Sequence, residues 1–350
     1  MKNLLKAARE KKGLMVREVA QELGIDQALV SKFESGVRKP TRQQVIKLAE
    51  VLNIDANELL VQWLKEKIIY EIGDDELALQ AMMAAEAEIK MKVLGTAKLK
   101  TPKAIKAIIK EIENCKKKLN KLRSYDSYRI AQALELEYTF ESNRIEGNTL
   151  TLKETDLVIN EGLTISGKSM REHLEAINHS EAIAYVKHLM DKKTDISERE
   201  VLAIHNLILR GIDQANAGKY RHVQVMIKGS GHEPPAPYIV PKQMEDLFIW
   251  YNSHKKSMHP VVLAAEMHQR LVTIHPFVDG NGRTSRLVMN LILLKHGYVI
   301  ANIKGDSKSR MAYYQALETV QTGGGNNQFI ELVARYELEA IQRYIDILSK

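Results

Sequence analysis

The stretch IHPFVDGNGRTSR, residues 274–286, sets a histidine, a carboxylate, a Gly-Asn-Gly triplet and two arginines within thirteen positions. Upstream, VVLAAEMHQRLVTI carries Val262, Ala265, Leu271 and Ile274 without a breaker, which reads as a helix stopped by Pro276. Downstream, RTSRLVMNLILLKHG carries Leu287, Leu291 and Leu294 at helical spacing and ends at Gly297. Between the two, Gly280 and Gly282 permit backbone angles that turn successive N–H groups toward one point, where the next helix adds its positive end. Such a nest binds anions. Arg283 and Arg286 are three apart and share a helix face, so both can reach an anion held there, and their planar forks suit phosphate oxygens. The chemistry these groups fit is polyphosphate binding. Asp279 would repel bare phosphate, and a Mg²⁺ between them accounts for its presence. His275 stands at the rim, able to take a proton near neutral pH. The plainer alternative is a helical corner with a glycine hinge, a core histidine and solvated arginines; it leaves the joint presence of all these groups unexplained.

At every fixed position this string resembles the signature of the Fic family, His-Pro-Phe-x-(Asp/Glu)-Gly-Asn-Gly-Arg-x-x-Arg. The resemblance implies a mostly α, helical Fic fold and a protein adenylyltransferase that moves AMP from ATP to a hydroxyl side chain of a target protein. It implies that His275 deprotonates that hydroxyl and that Asp279 holds the Mg²⁺ bridging the α- and β-phosphates. Gly280, Asn281 and Gly282 would cradle the phosphates with Arg283 on the leaving side, and Phe277 and Arg286 would complete the ATP-binding set. Physical chemistry agrees, because phosphoryl-type transfer needs mainly positioning and charge neutralisation, with a base adding roughly 10² to 10⁴-fold.

FESNRIEGNTLT, residues 140–151, closes a helix expected over about 125–147 and broken at Gly147. Ser142 and Glu146 are four apart, hence on one face, and Glu146 at a helix C-terminus needs a cation because the dipole there disfavours an anion. The stretch is similar to the Fic inhibitory pattern (Ser/Thr)-x-x-x-Glu-(Gly/Asn). That resemblance implies that Glu146 pairs with Arg286 and keeps the γ-phosphate of ATP from docking productively. A solvated helix-end glutamate is the simpler alternative.

Residues 1–62 show five short helical patterns separated by KKG, GID, SGVRKPT and NID. Asp26 can cap a helix from Gln27 to Glu34 that ends at Gly36, with Val19, Ala20, Leu23, Leu29, Val30 and Phe33 buried. VAQELGIDQALVSKFESGVRKPT resembles the lambda-repressor-like helix-turn-helix family. That implies a DNA-binding domain with Gln27, Ala28, Ser31 and Lys32 nearest the bases and Arg38 and Lys39 near phosphates, two copies forming a homodimer on a palindromic site. Where that family usually opens its second helix with Thr-Gln, Met15 and Val16 stand instead, which bears on affinity and not on fold. A helical module for dimerisation or protein contacts is the alternative.

Residues 63–123 read as a helical connector with a stripe of Ile105, Ile108, Ile109, Ile112, Leu119 and Leu122 and a seam at LGTAKLKTPK. Residues 88–123 hold twelve Lys/Arg against Glu88, Glu111 and Glu113, either a solvated helical face or a phosphate-tracking surface. Residues 124–350 form the Fic domain. Within it, residues 218–241 alternate Val223, Val225 and Ile227 with polar neighbours, turn at GSG and return through prolines, which predicts a β-hairpin with a free edge. By resemblance this is the flap that aligns the Ser, Thr or Tyr hydroxyl of the target. His268 is expected to be structural, and Tyr313 and Tyr314 to be core residues with polar tips.

With 350 residues, 45% apolar content and a formal charge of +7, the chain has room for two or three domains. One cysteine excludes an intramolecular disulfide, and no signal peptide or spanning segment is visible, so a cytoplasmic protein without membrane contact is expected. Two other functions fit the same motifs. The site could remove AMP from a modified target, with Glu146 orienting water, or the Fic domain could serve a DNA-binding regulator as a nucleotide sensor.

Overall fold

Caps and left-handed stops set the five N-terminal helices, α1 (Lys2–Lys11), α2 (Val16–Leu23), α3 (Gln27–Ser35), α4 (Arg42–Leu52) and α5 (Ala56–Ile72). Asp26 accepts from the Ala28 N–H to start α3, Thr41 accepts from Gln44 to start α4, and Gly24 at φ 66° ends α2. Met15 has no oxygen with which to cap α2, and Glu18 reaches back to the Met15 N–H at 2.6 Å instead. Leu5, Val19, Leu23, Phe33, Leu48, Leu52 and Leu59 form the core. Arg9 grips Glu34 through two bonds of 2.7 and 3.0 Å, tying α1 to α3.

The chain, seen here as a computed structural model, is described over residues 2–82, 85, 86, 89, 102–123, 128–191, 195–227 and 229–349. It divides into two units, Met1–Glu86 and Ala87–Lys350. The second holds α6 (Lys103–Leu122), α7 (Tyr128–Ile145), α8 (Leu152–Asn160), α9 (Met170–Asp191) and α10 (Glu198–Leu209). It continues with α11 (Val240–His254), α12 (Pro260–Ile274), α13 (Asn281–Lys295), α14 (Ser307–Gln321) and α15 (Asn327–Leu348).

The buried helices α12 and α13 pack against each other, with the motif loop between them in sequence. Helix α12 is buried almost all round, so even Glu266, His268, Gln269 and Arg270 lie inside. Glu266 accepts from Gln269 at 2.9 Å and Arg270 at 3.1 Å, and Arg270 lies 4.2 Å over the Trp250 ring, which satisfies charges a helix core would otherwise reject. His268 is also a core group, paired with the Tyr313 hydroxyl at 3.1 Å and tilted on Phe329.

Two expectations need correction. The segment read as a connector divides between the units: α5 runs to Ile72 in the first, and α6 buries Ile105, Ile108, Ile112 and Leu119 in the core of the second. Two cations of its basic run are committed there, Lys116 to the His296 carbonyl at 2.6 Å and Arg123 to the Gly297 carbonyl at 2.8 Å. Most of the LGTAKLKTPK seam, like residues 124–127 at the start of the helix expected over about 125–147, lies outside the described residues. Residues 218–241 form no strand among the described residues, Lys228 being outside them. Pro234, Pro235 and Pro237 remove ladder donors from the returning limb, and side chains clasp the two limbs instead. No helix among the described residues is long and apolar enough to cross a membrane.

Burial holds His179 and His268 well below the ordinary imidazole pKa, and His205 at about 4. In the unfolded chain these three sites bind protons below about pH 6.5, and in the folded chain they do not. Stability is therefore present above pH 6.5 and lost as pH falls, by up to about 1.4 kcal/mol per pH unit for each site. Buried Glu337, raised well above the usual carboxylate range, offsets one of them. Denaturant unfolding at pH 7 and pH 5 should show the lower stability at pH 5; equal or higher stability there would refute this reading.

Candidate active site

His275 caps α12 in the left-handed region, φ 50°, one of two non-glycine residues with positive φ among the described residues. The chain then turns through Pro276 and Phe277 to Gly280, whose φ of 79° starts α13. The first backbone bond of α13 runs from Thr284 N–H to the Gly280 carbonyl, so the N–H groups of Asn281, Gly282 and Arg283 lie ahead of the helical ladder, free to face an anion. The Asn281 side chain does not face outward. Its amide oxygen accepts from Phe277 N–H at 3.0 Å and its amide nitrogen donates to the Phe277 carbonyl at 2.9 Å, which locks the loop from within. Phe277 is also not a cleft residue: it is fully buried and stacked on His205 at 3.6 Å.

Burial lowers the His275 pKa to about 4, with the Val272 backbone pulling weakly upward, so the ring is neutral at pH 7. Its Nδ1 is buried and closes no hydrogen bond among the described residues.

Arg286 is 1% exposed and is held by the end of α7. Its Nε donates to the Ser142 hydroxyl at 3.0 Å, and Nη2 donates to the Ser142 carbonyl at 2.9 Å and to Glu146 at 2.7 Å. Burial lowers its pKa, and Glu146 together with Tyr313 and Tyr138 more than reverses this. The same carboxylate overlies the nest, since a Cβ placed on Gly282 would collide with Glu146 Oε1. Gly147, at φ 98°, breaks the chain away immediately afterwards. Tyr314 donates to the Ile145 carbonyl at 3.0 Å and fixes this helix end. Ser142, Glu146 and Arg286 are thus brought together as the sequence pattern requires.

Asp279 has partners the sequence did not announce. Arg171 on α9 reaches its Oδ2 at 2.5 Å, Arg283 its Oδ1 at 3.3 Å, and the Gly280 N–H bonds Oδ1 at 2.5 Å. Burial raises its pKa, but Arg283, the Gly280 amide and Arg171 outweigh that and keep it ionised. Glu175 steadies both arginines, 3.2 Å from Arg171 and 3.3 Å from Arg283. His205 takes the Gly218 N–H on Nδ1 at 2.9 Å and donates from Nε2 to the Asp279 carbonyl at 2.9 Å, so it joins the start of the 218–241 segment to the motif loop. No spacing signal links Arg171, Glu175 or His205 to the motif, because each comes from another helix.

Could Asp279 hold Mg²⁺? No group of three His, Cys, Asp or Glu side chains able to hold an ion exists among the described residues. Mg²⁺ needs no such cage, being held by one or two carboxylates together with substrate phosphates and water, so a single half-exposed Asp279 beside a phosphate nest fits.

In the N-terminal unit Gln27, Ala28, Ser31, Lys32 and Arg38 are exposed on or just after α3. Lys39 is not free like them: its ammonium donates to the Glu66 carbonyl at 2.9 Å and lies 4.2 Å over Tyr70.

Residues 195–293 match the Fic/DOC family and residues 5–59 match a helix-turn-helix family. Over 210 residues the chain is 36% identical to a protein adenylyltransferase Fic of Drosophila virilis, covering 60% of this chain and 42% of that protein. A protein of the same name from Nematostella vectensis is 38% identical over 211 residues, 60% of this chain and 48% of that one. The chain thus aligns with less than half the length of these relatives. Among solved structures, Fic-1 (residues 134–508) from C. elegans aligns with a TM-score of 0.62 and 25% identity over 99% of this chain and 97% of that one. A Fic family protein from Desulfovibrio desulfuricans G20 gives 0.61 and 26% over 71% and 76%.

Because the Asn281 amide satisfies both backbone groups of buried Phe277, Asn281→Ala should cost about 1 to 3 kcal/mol of stability. Thermal unfolding measures it, and a loss under about 0.5 kcal/mol, the range of an ordinary surface change, contradicts the bracing role.

Proposed function

From a chain that carries a Fic domain behind an N-terminal helix-turn-helix domain, we propose a self-inhibited protein adenylyltransferase coupled to DNA binding. The observation that carries this is a neutral His275 beside a helix-start anion nest whose second arginine is already occupied by Glu146.

In the reaction, ATP enters with its phosphates on the N–H groups that open α13, and Arg283 and Arg286 take oxygens of the leaving part. His275, unprotonated at neutral pH, accepts the proton of a target Ser, Thr or Tyr hydroxyl. The freed oxygen forms a bond to the α-phosphorus while the bond from that phosphorus to the β-bridging oxygen breaks, leaving AMP on the target and pyrophosphate in the nest. Asp279 would hold Mg²⁺, which when bound neutralises charge on the α- and β-phosphates. Gly280 and Gly282 let backbone approach the phosphates, Asn281 and Phe277 keep that backbone in shape, and the 218–241 segment receives the target. Ser142, Glu146 and Gly147 form the brake: Glu146 occupies both the guanidinium and the space over Gly282 that a γ-phosphate would need.

The reverse reaction, removal of AMP with Glu146 orienting water, uses the same groups, and the position of that carboxylate over the nest keeps this reading alive. A nucleotide sensor without chemistry would have no need of a base. For the first domain the reading is DNA binding by two copies through Gln27, Ala28, Ser31 and Lys32, with Arg38 on phosphate and Lys39 reaching it only by leaving Glu66 and Tyr70.

A charge-assisted contact to the γ-phosphate is worth about 1.5 to 3 kcal/mol, or roughly 10 to 150-fold in productive binding. With ATP labelled at the α-phosphate, Glu146→Gly should raise labelling of the chain or its target by that order, and Glu146→Gly with His275→Ala should abolish it while ATP still binds. Lower labelling in Glu146→Gly would instead assign the glutamate to AMP removal. Asp279→Ala should remove the Mg²⁺ dependence of ATP binding measured by calorimetry; an unchanged dependence counts against that ligand. The DNA reading predicts a gel shift with the chain's own promoter that weakens steeply with salt, through counterion release. No shift at low salt would leave a protein-contact module.

A further inference from the structure

Arg221 lies between the motif loop and the 218–241 segment, 1% exposed, and the motif chemistry described above does not use it. Its donors reach carbonyls on both sides. Nε bonds the His275 carbonyl at 2.8 Å and its backbone N–H the Pro276 carbonyl at 2.9 Å, while Nη1 bonds Val223 at 3.1 Å and Nη2 bonds Pro235 at 2.5 Å. Burial pulls its pKa below the ordinary value, and no acid offsets this among the described residues. A guanidinium kept inside without a counter-ion is expensive, so the three carbonyls it satisfies, those of His275, Val223 and Pro235, mark what it is there to hold.

On the loop side it holds a strained residue. His275 adopts φ 50°, a left-handed conformation unfavourable for a non-glycine residue, and the bond to its own carbonyl fixes the peptide plane that leads into Pro276. On the other side it joins Val223 of the outgoing limb to Pro235 of the returning limb, across which no ladder forms among the described residues. Gln224, donating to the Pro234 carbonyl at 2.8 Å, is a second clasp between the limbs but does not reach the motif loop. The tip is pinned elsewhere, His232 to the Thr273 carbonyl at 2.9 Å and the Gly231 N–H to Glu318 at 3.1 Å.

We infer that Arg221 is a positioning residue for AMP transfer: it fixes the backbone from which His275 projects and both limbs of the 218–241 segment as one unit, so that a hydroxyl presented on that segment meets the base in register. The inference rests on the adenylyltransferase reading. It separates two things the motif leaves together, because no bond of Arg221 reaches the Asn281, Gly282 and Arg283 amides that would hold the nucleotide.

The test uses the full chain in the Glu146→Gly background, with automodification from ATP labelled at the α-phosphate. Arg221→Lys keeps the charge but contracts the fork to one nitrogen, which cannot span both loops. Its kcat should fall roughly 10 to 100-fold, the order expected when reacting groups shift by about 1 Å, while KM for ATP stays within about twofold. Hydrogen exchange should speed up in residues 222–236 and around 275–277, with α12 and α13 still protected. Arg221→Ala should regain part of its kcat when guanidinium is added at non-denaturing concentration. A parental kcat in Arg221→Lys overturns the inference, and so does a fall in kcat accompanied by a raised KM for ATP and general loss of protection, which describes a merely structural arginine. If the Glu146→Gly chain itself transfers no AMP, the adenylyltransferase reading has failed, and the exchange measurement still decides on Arg221: unaltered protection at 222–236 and 275–277 in Arg221→Lys rules out the brace.

Discussion

A guanidinium buried to 1% exposure has to be satisfied on every side, and most of the site follows from how Arg286 meets that demand. Ser142 supplies a hydroxyl and a carbonyl, Tyr313 a phenol at 3.4 Å, and Glu146 the one full negative charge. Three of the four partners are neutral and built into helices. The fourth is a side chain about one third exposed at a helix end. Whatever replaces Glu146 must bring its own negative charge to the same place, and a terminal phosphate does so where water cannot. The proposed inhibition is in this sense a consequence of burying Arg286, since a solvated arginine would gain little from either anion.

The rest of the site sorts by mobility along the same line. Asn281, His205 and Arg221 are buried and bonded to backbone on two or more sides, and Phe277 is buried and stacked on His205, so they keep the loop in one shape. Glu146 and Arg171, by contrast, are long side chains with solvent on one flank, holding respectively the guanidinium and the carboxylate that ATP and Mg²⁺ would claim. On the proposed reading the scaffold stays while two ion pairs exchange, which would suit a reaction driven mainly by positioning. Arg171 adds a weak competitor at Asp279, weak because Arg171 is more than half exposed and Asp279 about two fifths exposed.

Local signals in the sequence carried a long way because this fold is mostly helical. Helix α12 ends at Ile274 and α13 at Lys295 as Pro276 and Gly297 require, and the four-residue spacing of Ser142 and Glu146 does place both on the face that meets Arg286. Local pattern fails where a residue's partner comes from elsewhere in the chain. Nor does the motif's spacing show that the Asn281 side-chain amide turns inward to Phe277, leaving its backbone N–H toward the nest. Arg171, His205 and Arg221 sit in ordinary helical or polar surroundings and acquire meaning only when α9, α10 and the 218–241 segment close over the loop. Alternation of Val223, Val225 and Ile227 suggested a hairpin, and the prolines opposite them, visible in the same sequence, are the reason no ladder forms there.

The central claim is that Glu146 and a nucleotide's terminal phosphate compete for one guanidinium, and calorimetric ATP binding to four chains tests it most directly: native, Glu146→Gly, Arg286→Ala and the double variant. The account predicts that Glu146→Gly tightens binding by about 10-fold or more, and that the same change has almost no effect once Arg286 is alanine, a coupling of at least about 1.5 kcal/mol. An equal gain from Glu146→Gly in both backgrounds would show that the glutamate acts without the arginine, and would contradict it.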